Sequence, residues 1–302
     1  MKSAPAKSTL TFRRRLLRIL LVSVALLFLL FVGLVQGAGL MFSSHDRAMK
    51  PFVSRVVTNS AGHALHWYEL KQPEAEWNIV FIHGTPGTAA AFAEQFKHPF
   101  PLADLAALDR PGFGGSGPSR RVPSLEENAD AVGLLLANLP RRKTILVGHS
   151  YGGPVALLAA LKFPNQVAGV VLIGGSVDPA QERILLIQRI ANWPVFSWLV
   201  PRALRQCNRE LLPLRGDLVK LQKQLPTLTV PVLMLHGEKD QLVPVANVEY
   251  LRAQLAAAGK SNLFDQLIFP EYNHFIPWQH PDAVEAALEK VMHSASHDAQ
   301  NK

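Results

Sequence analysis

One cysteine, Cys207, occurs in 302 residues, and that excludes an intrachain disulfide framework and a cysteine-built zinc cage. Charge is also sparse: 18% of residues are charged against 48% hydrophobic, which excludes wholesale disorder. No internal repeat is visible, and no His-Glu-x-x-His metal pattern occurs among the 11 histidines. His63 and His66 fall on an expected strand. The glycine cluster from Gly112 to Gly117 lacks the Gly-Lys-Ser/Thr ending of a phosphate loop and reads as a turn. No cofactor and no metal are implied.

Acidic residues are few, 23 against 31 basic, for a net charge of +8. A uniform excess would point to a nucleic-acid partner, but residues 1–50 hold eight basic residues against Asp46 alone, a net of +7. The rest of the chain carries only +1, so a nucleic-acid surface has no electrostatic footprint there.

Beside that basic cluster lies the longest apolar run. From Ile19 to Val35 only Ser23 and Gly33 interrupt it, and it resumes through Gly37–Phe42 after Gln36. Roughly 20 such residues cross a hydrocarbon core. Residues 16–42 are therefore expected to be a transmembrane anchor. A cleaved signal peptide, with Val35-Gln36-Gly37 as its site, and a buried core helix are the alternatives, although the run exceeds the usual signal-peptide apolar length. Arg13, Arg14, Arg15 and Arg18 precede the run and would hold residues 1–15 in the cytoplasm. The remainder would lie outside the cytoplasmic membrane as a single-pass protein.

Downstream, short Val/Ile/Leu-rich runs without alternation read as strands buried on both faces: 77–82, 103–108, 143–147, 167–173, 231–235 and 263–269. Between them, 89–96, 124–139, 151–163, 246–258 and 282–293 read as helices. Ser124 with Glu127 forms a capping-box pattern. Such alternation predicts a mainly parallel sheet with helices on both faces, and its sites lie beyond the carboxyl ends of the strands. The runs 52–57 and 64–70 flank Ala61-Gly62 as an antiparallel hairpin at the edge. From Ser176 to Thr229 the rhythm breaks, and this stretch reads as an inserted helical cap. The core is thus divided into 43–175 and 230–293, with 294–302 as a disordered tail.

Gly148-His149-Ser150-Tyr151-Gly152 follows an apolar strand and opens an Ala/Leu-rich helix. Glycines on either side of Ser150 permit a sharp turn that leaves the hydroxyl exposed at the sheet edge, while the helix terminus favours developing negative charge. The chain here resembles the α/β-hydrolase superfamily over about 52–293. Besides the elbow, His83-Gly84-Thr85-Pro86-Gly87, Asp109-Arg110-Pro111-Gly112-Phe113-Gly114-Gly115-Ser116, Gly237-Glu238-Lys239-Asp240-Gln241-Leu242-Val243-Pro244 and Asn273-His274-Phe275 occur in that family's order.

The resemblance implies a serine hydrolase. Ser150 is the expected nucleophile, His274 its base and Asp240 the acid that orients the base, with backbone N–H groups of Thr85 and Tyr151 as the oxyanion hole. Asp178, just past the strand 167–173, is the rival acid and could equally cap a helix with Pro179 at its start. Asp109 is expected to stabilise its own turn, Glu238 to be solvated, and His83 and His149 to orient loops. Trp193, Phe196, Trp198 and Trp278 could line an apolar pocket, touch the bilayer or simply pack. Cys207 is expected to be an inert filler.

A serine at the elbow argues against dehalogenase or epoxide-hydrolase chemistry, which uses aspartate there. Carboxylic-ester hydrolysis of a partly apolar small molecule ranks first. Carbon–carbon hydrolysis and aminopeptidase or amidase activity are alternatives on the same triad. A non-catalytic membrane-anchored receptor or scaffold is the alternative of another class.

Overall fold

A computed structural model of the chain describes residues 7–58, 62–116, 124–184, 186–191, 193 and 200–300. It opens with a long helix, α1 (Lys7–Ser43), whose stretch Arg14–Leu34 has a mean hydropathy of 2.7 and is buried against nothing in the protein. At 1.5 Å per residue these 21 residues extend about 30 Å, the thickness of a hydrocarbon core. A 3-10 turn, Ser44–Met49, leads into the body.

Among the described residues the body holds one eight-stranded sheet. Its strands are β1 (Val53–Thr58), β2 (Ala64–Leu70), β3 (Trp77–Ile82), β4 (Ala103–Asp109), β5 (Lys143–His149), β6 (Val167–Ile173), β7 (Val232–Gly237) and β8 (Phe264–Phe269). The order is β1-β2-β4-β3-β5-β6-β7-β8; β1 and β2 are antiparallel, as the hairpin signal predicts, and β4 through β8 run parallel.

Helices α2 (Ala93–Lys97), α3 (Leu125–Leu136) and α4 (Gly152–Lys162) pack on the sheet, α5 (Leu186–Ala191) and α6 (Arg202–Gln222) form the insert between β6 and β7, and α7 (Ala246–Ala257), α8 (Ile276–Gln279) and α9 (Pro281–Gln300) complete the cover of both faces. Because both faces are covered, successive strand residues go to different cores. Val80 and Ile82 of β3 join Val132, Leu146 and Val155 on the α3/α4 side, while Ile79 and Phe81 join Phe92, Phe96, Val147 and Leu288 on the α2/α9 side. That two-sided burial is why the strands read as unbroken apolar runs rather than alternating ones.

β5 and β7 each run two residues beyond their expected ends, and three helical boundaries depart further. The expected helix 89–96 is a 3-10 turn, Ala89–Phe92, followed by α2; its start is held by the N–H of Ala89, which donates to Asp109 Oδ1 at 2.7 Å. α3 stops at Leu136, ahead of Pro140, and its start carries the Ser124/Glu127 capping box. α9 continues to Gln300, through most of the expected tail 294–302. Ala295 is buried, and the Ser294 and Ser296 hydroxyls bond to carbonyls four residues back.

Candidate active site

Parallel strands end on one edge, so the segments following β3, β4, β5, β6, β7 and β8 converge there. Ser150 follows β5 directly and sits at φ 54°, a left-handed conformation that costs a non-glycine residue on the order of 1 kcal/mol or more. The surrounding contacts hold it: Ser150 N–H donates to Ile173 O at 2.9 Å, and Gly153 N–H to Ser150 O at 2.9 Å. Glycine is required beside it by close approach. A Cβ on Gly148 would lie 2.2 Å from Gly152 O, and one on Gly152 would lie 2.1 Å from Ile82 O.

His274 lies in the loop after β8. Its Nδ1 is 2.7 Å from Asp240 Oδ2, and a carboxylate only accepts, so Nδ1 carries a proton and Nε2 is the ring nitrogen left without this partner. Asp240 follows β7, and its Oδ1 accepts from the N–H groups of Leu242 at 2.9 Å and Val243 at 2.8 Å. Burial alone would raise the Asp240 pKa, but the hydrogen bond and charge of His274 with the Val243 N–H hold it below the ordinary carboxylate value. The two side chains meet over Gly174, where a Cβ would come 3.1 Å from Asp240 Oδ2 and 3.3 Å from His274 Nδ1. Gly174 follows Ile173, the residue whose carbonyl holds Ser150, so serine, histidine and aspartate flank the end of β6.

Asp178 is not at His274. Its Oδ1 accepts from Ala180 N–H at 2.8 Å within its own turn, and its N–H, with that of Val177, donates to Asn247 Oδ1. It caps a turn rather than a helix. Glu238 is exposed.

The turn after β3 carries His83, Gly84 and Thr85. Gly84 faces the nucleophile, since a Cβ there would be 2.9 Å from Ser150 Cβ. His83 is wholly buried; Nδ1 donates to Gly84 O at 2.7 Å and Nε2 accepts from Arg110 N–H at 3.0 Å. His149 donates from Nε2 to His274 O at 3.0 Å. Burial first, then the Arg110 charge for His83 and the His274 charge for His149, pushes each imidazole down to about 3, so both are neutral struts. Asp109 accepts from Ala89 N–H, Gly115 N–H and His66 Nδ1, tying its turn together. Cys207 faces Thr85, and burial pushes its thiol up to about 11. Of the four aromatic residues singled out, Trp193 and Trp278 are exposed, while Phe196 and Trp198 lie outside the described residues.

Two buried groups escape a reading by motif. Arg110 is 0% exposed and spends all five guanidinium donors: Nε to His83 O, Nη1 to Asn128 Oδ1 and Glu210 Oε1, Nη2 to Gly84 O and Glu210 Oε2. Its plane also covers the rings of Phe113 and Tyr151, at 4.9 and 4.6 Å to their centroids. Glu210, also 0% exposed, comes from α6, so one ion pair fastens the inserted helix to the turn beside Ser150. His236 is the second group; its Nε2 donates to Val243 O at 2.9 Å and lies 3.6 Å from Asp240 Oδ2.

A family description of the alpha/beta hydrolase fold matches residues 78–209. The mouse protein named Serine hydrolase BPHL is 30% identical over 241 residues, covering 67% of this chain and 79% of its own length. The chain belongs to the α/β-hydrolase superfamily. Among solved α/β-hydrolase folds, an esterase from Exiguobacterium antarcticum superposes with a TM-score of 0.60 at 17% identity, covering 79% of this chain and 98% of that one. A membrane phospholipase A described as a bacterial virulence factor superposes with a TM-score of 0.62 at 18% identity, covering 94% of this chain and 99% of that one. This α/β-hydrolase is accordingly a hydrolytic enzyme with an apolar N-terminal helix long enough to cross a membrane.

Proposed function

We infer that this α/β-hydrolase cleaves carboxylic esters through an acyl-enzyme on Ser150. The observation that carries the reading is the Asp240–His274 bond at the strand edge where Ser150 is held at φ 54°. Ser150 Oγ attacks the ester carbonyl as His274 Nε2 takes its proton, and the Asp240 carboxylate stabilises the imidazolium that forms. The carbonyl oxygen becomes an oxyanion, which the N–H groups of Thr85 and Tyr151 hold. His274 returns the proton to the departing alkoxide, and water repeats the sequence to free the acid. The names of its relatives, a serine hydrolase and an esterase, agree with this chemistry.

α1 serves as a retained single-pass anchor with residues 1–15 inside and the catalytic body outside the cytoplasmic membrane, following the clustered arginines before the span. The test of the chemistry is hydrolysis of p-nitrophenyl esters by the full chain and by Ser150→Ala. The expected loss is at least about 10³-fold. Equal rates for the two proteins would end this reading.

A further inference from the structure

Outside α1, nine large apolar side chains are exposed among the described residues, and five of them belong to segments that leave the strands at the active-site edge. Leu242 follows Asp240, Phe275 and Trp278 follow His274, and Leu186 and Trp193 belong to the insert after β6; their exposures run from 37% for Trp278 to 72% for Leu186. An apolar rim on the loops that hold a site marks a docking surface rather than chance exposure.

The path of the chain indicates what covers it. α1 runs against α6, and the 3-10 turn after it runs against Ala89–Phe92, which follows the turn after β3. Both junctions therefore lie on the strand-carboxyl edge. From Leu34, the end of the apolar stretch, to the buried Met49 the chain is continuous helix and 3-10 turn, a stiff link on the order of 25 Å. Such a link holds the active-site edge toward the bilayer and cannot turn it to the far side. The charge distribution fits the same surface. Residues 176–229 hold eight basic against four acidic residues, a net of +4, whereas the rest of the chain from residue 51 carries −3. An insert of net positive charge beside exposed Trp, Phe and Leu matches the interface of an anionic leaflet.

We propose that the rim formed by Leu186, Trp193, Leu242, Phe275 and Trp278 docks on the surface of the membrane that α1 crosses, and that Ser150 takes its acyl ester from a lipid of that leaflet. The substrate part rests on the ester-hydrolase reading and on α1 being a retained anchor. The docking part is read without catalysis.

The full chain with Cys207→Ser, carrying a single NBD-labelled cysteine by Leu242→Cys or, at the opposite edge before β6, by Asn165→Cys, is reconstituted into vesicles of phosphatidylethanolamine and phosphatidylglycerol with brominated acyl chains. NBD emission at 242 is expected to be quenched at least twofold and that at 165 to be unchanged; no quenching at 242, or equal quenching at both, overturns the docking face. In parallel, Leu186→Asp/Trp193→Asp is expected to cut hydrolysis of the vesicle phospholipids at least tenfold while leaving p-nitrophenyl butyrate turnover in detergent within twofold. Equal losses on both substrates, or an undiminished phospholipid rate, overturn the proposal. A wild type that cleaves p-nitrophenyl butyrate but no vesicle lipid overturns the lipid substrate and spares the esterase. A wild type that cleaves neither overturns the esterase reading, with the quenching result still deciding the docking face.

Discussion

Replacing Glu210 by Gln leaves the shape of α6 unchanged and removes one charge from a pair that no water reaches. Both partners are 0% exposed, and the Arg110 guanidinium would keep its bonds to His83 O, Gly84 O and Asn128 Oδ1 while two donors face a neutral amide. Breaking a buried pair from one side costs about 3–5 kcal/mol, and Gln retains one acceptor oxygen, which places Glu210→Gln near about 3 kcal/mol. At about 2–4 °C per kcal/mol for a body of this size, the expected fall in Tm is about 6–12 °C. The assay is thermal unfolding of the detergent-solubilised full chain by intrinsic fluorescence. Glu249→Gln serves as control, since the Glu249–Arg252 pair stands in solvent. The turn beside Ser150 loses its hold on α6 in the same variant, so kcat on a soluble ester is expected to fall about tenfold, on the order of the rate cost of losing about 1.4 kcal/mol of transition-state alignment. A Tm within about 2 °C of wild type would refute the view that this pair is charged, dry and uncompensated elsewhere.

Asp240→Asn is expected to lower kcat by about 10³-fold or more because it removes the carboxylate that fixes the His274 tautomer, whereas Asp178→Asn leaves it within about twofold; the reverse ranking by steady-state kinetics would move the acid to Asp178. Acid should destabilise the fold through His83 and His149: both are held near 3 in the native state, so below about pH 6.5 the unfolded chain binds protons that the native one does not, and each imidazole removes about 1.4 kcal/mol per pH unit. That contribution is complete above about pH 6.5 and is lost as pH falls toward 3; His149→Asn should flatten the decline in denaturation curves between pH 7 and 4.5, and an unchanged slope would contradict it. Cys207, pushed up to about 11, should react with iodoacetamide at pH 8 about 100-fold more slowly than free cysteine until the chain unfolds; labelling at the free rate in the native protein would exclude its burial against Thr85.

Much of the fold is legible because its signals are local. Val167–Ile173 and Trp77–Ile82 have the expected bounds, since strands buried on both faces need apolar residues at every position. Asp240 and His274 each follow a strand whose carboxyl end lies on the same edge, but so does Asp178, and position left the acid open between the two until the 2.7 Å bond from His274 to Asp240. Glu210 could not be placed: it sits 100 residues from Arg110, and nothing about a glutamate amid an arginine-rich helix distinguishes a buried partner from a solvated one. His236 falls between the expected strand 231–235 and the acid loop that starts at Gly237, and its approach to Asp240 depends on how the following turn closes. The continuation of α9 to Gln300 was open to reading, because residues 294–300 contain no glycine or proline to stop a helix.

Whether Ser150 is a working nucleophile is read by treating the full chain with a fluorophosphonate and locating the adduct by peptide mass mapping. One adduct per chain is expected, on Ser150, abolished in Ser150→Ala and slowed in His274→Ala. No adduct, or an adduct on another residue, would contradict it and leave an α/β-hydrolase fold without a working nucleophile at the elbow.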